Sequence, residues 1–174
     1  MMFHVKQVKI KTLFLKGFLV FLMLSTTVSC VTQRHGVEIQ DYVLVENGKQ
    51  ILGKKEGLTG FIFENNPRKI IFAQFVADKY NLGQFEEVSY YAQADGYRFK
   101  VFVYTNDELQ KYFDMGQFMV TRQENEQNVI GSTEKFIGIS IINDANEDCL
   151  KENSLFYNIA LKYLKNLKDE YNNL

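Results

Sequence analysis

Few side-chain types move protons, attack carbonyls or hold metals, and this chain of 174 residues is sparing with the most versatile of them. It has two histidines, His4 and His35, and two cysteines, Cys30 and Cys149. Histidine is the usual general base near neutral pH. Both histidines precede residue 40, so a Ser-His-Asp or Cys-His arrangement in the rest of the chain requires His35 to fold back onto it. Cys149 has no histidine nearby to activate it and reads as a small buried hydrophobe. A Cys/His zinc site runs short of ligands for the same reason. No GxxxxGK(S/T) and no GxGxxG occurs. Gly53-Lys54-Lys55 is too short to cradle a phosphate and reads as a solvated turn.

Acidic groups are the remaining source of reactivity. In Asn143-Asp144-Ala145-Asn146-Glu147-Asp148, the residues Asp144, Asn146 and Asp148 match positions 1, 3 and 5 of an EF-hand loop, and Glu152 falls at position 9. The match then breaks. Cys149 stands where the loop needs glycine for its turn, and Leu155 where it needs a bidentate Glu. The run therefore reads as a capped polar loop between strand and helix. Paired carboxylates for glycoside chemistry are defined in space, and the sequence singles out no pair among its 21 acidic residues. We assign no catalytic residue, no metal and no cofactor from the sequence.

Cys30 carries the clearest chemistry because of what precedes it. Residues 1–16 are basic, with Lys6, Lys9, Lys11 and Lys16 and no acid. Gly17-Phe18-Leu19-Val20-Phe21-Leu22-Met23-Leu24 is a short apolar core, followed by the small residues Ser25-Thr26-Thr27-Val28-Ser29. This is the order of a secretory leader. A spanning helix needs ~20 apolar residues to cross ~30 Å of hydrocarbon, and Lys16 bounds a run of only twelve, from 17 to 28.

Thr27-Val28-Ser29-Cys30 resembles a lipobox, the signal of bacterial lipoproteins. That resemblance implies that the Cys30 thiol takes a diacylglyceryl group, that a signal peptidase cuts before it, and that the new amino terminus is acylated. The family pattern prefers Leu three residues before the cysteine, where this chain has Thr27. A thiolate is the nucleophile such lipid transfer needs. One acyl chain binds a membrane marginally, whereas two or three make the attachment effectively permanent. Val31 stands where an Asp would imply inner-membrane retention, so the resemblance implies the outer membrane, with the domain facing the periplasm. Removing residues 1–29 leaves 16 basic against 21 acidic side chains (20 less 4 basic), a net charge of −5. Nucleic-acid binding is not expected of such a surface.

The elements that must carry any further site follow from pattern. Residues 30–40 read as a polar lipidated tether and 41–174 as a single domain. Tyr42-Val43-Leu44-Val45-Glu46 and Lys49-Gln50-Ile51-Leu52 flank Asn47-Gly48, which predicts a hairpin facing Glu46 to Lys49 and Leu44 to Ile51. Phe61-Ile62-Phe63 reads as a short strand. Asn66-Pro67 opens a helix that ends at Asn81-Leu82-Gly83. A second hairpin, 87–93 and 98–104, turns at Asp95-Gly96. Its register puts Val88, Tyr90, Ala92, Ala94, Tyr97, Phe99, Val101 and Val103 on one apolar face. Thr105 to Glu108 is a capping box opening a helix to about Met115. Residues 117–121 suit a strand, 122–134 a mobile polar loop, 135–142 an interior strand, and 154–171 a closing helix with Phe156, Ala160, Tyr163, Leu164 and Leu167 as its stripe.

The predicted order is β-β-α-β-β-α-β-β-α, an α+β domain whose mostly antiparallel sheet has helices packed on it. The second hairpin's other face then gathers Tyr91, Phe102 and Tyr104 beside Arg98 and Lys100. Aromatics and Arg concentrate in binding hot spots, so these five are the candidate partner-binding residues. The expected function is a lipid-anchored, non-enzymatic envelope domain, attached to the membrane through Cys30 and engaging an envelope protein. A hydrolase using carboxylates alone and a binder of small apolar ligands are the alternatives.

Overall fold

The computed structural model describes residues 36–51, 53–83, 88–122 and 125–174. The leader, Cys30, Leu52 and the start of the second hairpin at Glu87 lie outside the described residues. In chain order the elements are β1 (Val37–Glu38), β2 (Val43–Val45), β3 (Gly60–Glu64), α1 (Phe72–Tyr80), β4 (Ser89–Ala94), β5 (Tyr97–Tyr104), α2 (Asn106–Tyr112), β6 (Phe118–Met119), β7 (Phe136–Asn143) and α3 (Tyr157–Asn172). The fold class is α+β.

Five strands form one antiparallel sheet in the order β2-β3-β7-β5-β4. β7 is central because its sequence suits burial on both faces. Ile137, Ile139 and Ile141 face one side and Phe136, Gly138, Ser140 and Ile142 the other, and all seven are buried. The first side joins Phe61, Phe63, Phe99 and Val101 to the apolar stripes of α1 (Phe72, Phe75, Val76) and α3 (Ala160, Leu164, Leu167, Tyr171). On the second side, Ile62, Tyr104 and Phe136 pack with Leu109 of α2, Phe113 and Ile39. Helix α3 also buries Lys168, which is paired with Asp41.

The second hairpin forms in the expected register, with Ala92 opposite Phe99 and Tyr90 opposite Val101. The capping box is present, its Thr105 hydroxyl accepting from the Glu108 amide. Cys149 is fully buried.

Other expectations are corrected. β2 pairs with β3, placing Leu44 opposite Phe61, and the Asn47-Gly48 hairpin does not form. A type I′ turn needs positive φ at both central residues, and only Asn47 has it, at 59°. Gly48 meets a demand for space instead. A Cβ there would lie 2.1 Å from the Phe113 ring, and one at Gly60 would lie 2.6 Å away, so the two glycines form a seat for that ring. Lys49 pairs with Glu108 rather than Glu46, at 2.5 Å.

The expected tether is structured at its end: β1 pairs in parallel with β6, and Ile39 is buried, so the compact unit runs over Gly36–Leu174. Asn66-Pro67 forms a turn, and α1 starts five residues later, after Ile71. The Pro67 carbonyl accepts from the Ile130 and Gly131 amides at 2.7 and 3.2 Å, which commits that turn to the 125–134 segment rather than to a helix. That segment is held by these bonds and by the Asn65 side chain, which donates to the Glu134 carbonyl at 2.8 Å, so the described part of the expected mobile loop is anchored.

Candidate functional site

Two left-handed residues in succession, Asp95 (φ 49°) and Gly96 (φ 84°), make the tight turn that fixes the β4–β5 register. Strict alternation then sorts the side chains. Tyr90, Ala92, Phe99, Val101 and Val103 point inward and are buried. At the hairpin's tip, Ala94 is half-buried and Tyr97 is half exposed, stacked edge-on against Phe156 at 5.1 Å. Tyr90 ends in a buried cluster: its hydroxyl and that of Tyr80 each share a 2.8 Å hydrogen bond with Tyr163, tying β4 to α1 and α3. Burial pushes the Tyr90 and Tyr163 phenols well above their ordinary value, so they stay neutral.

The outer side is different. Tyr91 is 54 % exposed, and the Arg98 guanidinium sits 3.9 Å from its ring centroid. Lys100 places its Nζ 5.1 Å from the Phe102 ring. These are cation–π distances. Of the five residues expected here, Tyr91, Arg98, Lys100 and Phe102 share the outer face, with Lys100 and Phe102 half-buried. Tyr104 is removed from the site. It is 5 % exposed, and its hydroxyl donates to Ser140 Oγ at 2.8 Å, which in turn donates to the Thr59 carbonyl at 2.7 Å. Phe113 and α2 cover it, so the open face ends at Phe102.

Lys49 and Glu108 adjoin this face, and the sequence pattern does not point to them. With Ser89 and Phe102 of the face itself they line a depression of about 200 Å³. Lys49 lies 5.5 Å from the Tyr112 ring. Lys49 and Glu108 are 59 residues apart, and no local signal links them.

β4 is also the last strand of the sheet. The Val103 amide donates to the Val88 carbonyl at 2.9 Å. Antiparallel pairs alternate between hydrogen-bonded and open ones, so the amides and carbonyls of Ser89, Tyr91 and Gln93 point away from β5. Among the described residues nothing hydrogen-bonds to them.

Elsewhere, chemistry-bearing groups have structural work. Asp148 accepts from the Thr59 amide at 2.7 Å and the Leu150 amide at 2.9 Å. Asn143 Oδ1 accepts from the Ala145 and Glu147 amides, both at 2.9 Å. The acidic run is thus a set of turn caps. Among the described residues there is no histidine, and no group of three His, Cys, Asp or Glu side chains is placed to hold a metal ion. Burial, then the Asp148 and Glu147 carboxylates, push the Cys149 thiol up to about 12, which keeps it protonated. A cleft of about 350 Å³ between 51–58 and 146–156 contains Glu56, but Lys151 is paired with it. A groove of about 570 Å³ runs beside α2, lined by Leu109, Phe113, Phe118 and Phe136 together with Asn106, Gln110, Asp114 and Lys135.

Among the described residues no helix is long and apolar enough to cross a membrane. No family model matches the chain, no curated protein is similar to it, and no solved structure resembles it.

Proposed function

We propose that the chain is a lipid-anchored protein of the bacterial cell envelope, held by lipid on Cys30 at the periplasmic face of the outer membrane. Its α+β domain is a non-enzymatic module that engages an envelope protein through the outer face of β4 and β5. The anchor rests on the basic, apolar and small-residue order of 1–29 and on the cysteine that follows. The binding role is carried by one observation, the exposed Tyr91 ring with the Arg98 guanidinium stacked on it. Tyr supplies a large contact area at low conformational cost, and an Arg already stacked on a ring has less freedom left to lose; both residue types are enriched in hot spots.

Two measurements test the two halves. Cys30→Ser should abolish acyl labelling and release the protein from the membrane fraction; retained labelling would contradict the anchor. A photo-crosslinking phenylalanine analogue at Tyr91 should capture a discrete envelope protein in cells, and the same analogue at Lys162 on α3 should not. Equal capture from both positions would contradict the binding face.

The groove beside α2 favours a second reading, a small apolar ligand, since its size falls within the range of ligand pockets. An apolar fluorophore that brightens with the parent protein and not with Phe136→Ser would support it.

A further inference from the structure

We propose that the open edge of β4 takes an extended, acidic segment of the partner polypeptide as a sixth strand of the sheet. The inference rests on the binding-face reading above and names the kind of partner that face accepts.

Among the described residues the edge of β4 is open and undefended. Ser89, Tyr91 and Gln93 direct their amides and carbonyls outward, which is the backbone pattern an incoming strand needs. Sheet edges are ordinarily blunted by charge, proline or a bulge. β4 reads Ser-Tyr-Tyr-Ala-Gln-Ala, with no charge and no proline, and it pairs with β5 without a bulge.

Charge selects the occupant. Arg98 belongs to β5, but its guanidinium leans over the Tyr91 ring and so stands above β4. An added strand would run ~4.8 Å beyond β4. Alternate side chains on it would rise on the outer face beside Tyr91, within reach of that guanidinium. Among the described residues neither Arg98 nor Lys100 has a carboxylate partner; their contacts are aromatic rings. Carboxylates at alternate positions of the incoming strand would supply the missing charge, and such pairs strengthen when the face is covered. The remaining side chains of that strand would fall beside Tyr90 and Ala92 and should be apolar. A second copy of this chain fits less well. Two β4 edges meeting with Tyr91 against Tyr91 would gather two Arg98 and two Lys100 on one face, and like charges so placed repel.

The test uses the full-length chain, isotope-labelled, with a peptide of about eight residues alternating Glu and Val, the length of an ordinary strand. The peptide should bind and slow hydrogen exchange at the Ser89, Tyr91 and Gln93 amides. Its Lys-for-Glu counterpart should bind about tenfold more weakly or worse. Gln93→Pro removes an outward amide without touching a bond to β5 and is tolerable at an edge. Ser89→Pro removes a second outward amide in the same way. Each should weaken peptide binding about tenfold while the protein still melts cooperatively. If Arg98→Glu abolishes binding but neither edge variant does, and the three amides exchange as before, the sixth strand is wrong and the binding face survives. If the Lys peptide binds as well as the Glu peptide, the acidic occupant is wrong. If the chain dimerises and Gln93→Pro dissolves the dimer, a second copy occupies the edge and the proposal is overturned. Loss of selective crosslinking at Tyr91 would remove the face itself.

Discussion

Tyr90 and Tyr91 are neighbours in sequence and opposites in circumstance. Tyr90 is 3 % exposed, stacked on Tyr80 at 4.2 Å and hydrogen-bonded to Tyr163. Tyr91 is 54 % exposed, with the Arg98 cation over its ring. Both lie on the same strand, in the same register, with the same side chain. What separates them is cover. Helices α1 and α3 lie over the inner face along its length, whereas α2 and Phe113 cover the outer face only over β3, β7 and the Tyr104 end of β5. A side chain's role in this domain is therefore set by which part of the sheet is roofed, and among the described residues the hairpin's outer face at Tyr91 is the unroofed part.

That contrast can be broken most severely from the inside. Phe99→Ala deletes a fully buried ring beneath α3 and should cost about 3–5 kcal/mol in urea unfolding. A loss of that size approaches the whole stability of an ordinary domain. Ile39→Ala removes part of the roof on the other face and should cost about 2–4 kcal/mol, although the residue lies in what reads as a tether. No effect there would return 36–40 to the tether.

Alkaline pH probes the roofed core through Cys149. Its thiol is raised from 9.0 to about 12 in the folded state by burial first. Below pH 9 both folded and unfolded thiols are protonated, so the group adds no slope. As pH rises from 9 towards 12 the unfolded thiol ionises first, and stability should fall by up to ~1.4 kcal/mol per pH unit. Cys149→Ala should flatten that decline between pH 9 and 10, and an unchanged decline would mean that the thiol is not so buried. Tyr104→Phe tests where the roof ends. It removes a buried hydrogen bond to Ser140 and should cost about 1 kcal/mol. No loss would put Tyr104 back on the open face.

The same contrast explains what could be read from the sequence. The β4–β5 register was legible because its determinants are local, a two-residue turn with alternating side chains on either side. The interior position of β7 followed from its unbroken apolar run, and the stripe of α3 from its spacing. The Asn47-Gly48 turn signal points β2 to the wrong partner, while Gly48 in fact makes room for Phe113, a residue 65 positions away. Lys49 joined the site through Glu108 for the same kind of reason. Alternation groups Tyr104 with Tyr91 and Phe102 because it gives the side of a sheet and not its cover. The roof comes from α2, and only long-range packing says where it stops.

The central claim is that the face bearing Tyr91 and Arg98 serves a partner and not the fold. Crosslinking yield at Tyr91 in Arg98→Ala cells, measured on protein whose unfolding free energy is within ~0.5 kcal/mol of the parent, tests it most directly. The account predicts that capture falls severalfold while stability stays in that range. Undiminished capture, or a stability loss of several kcal/mol from Arg98→Ala, would contradict it.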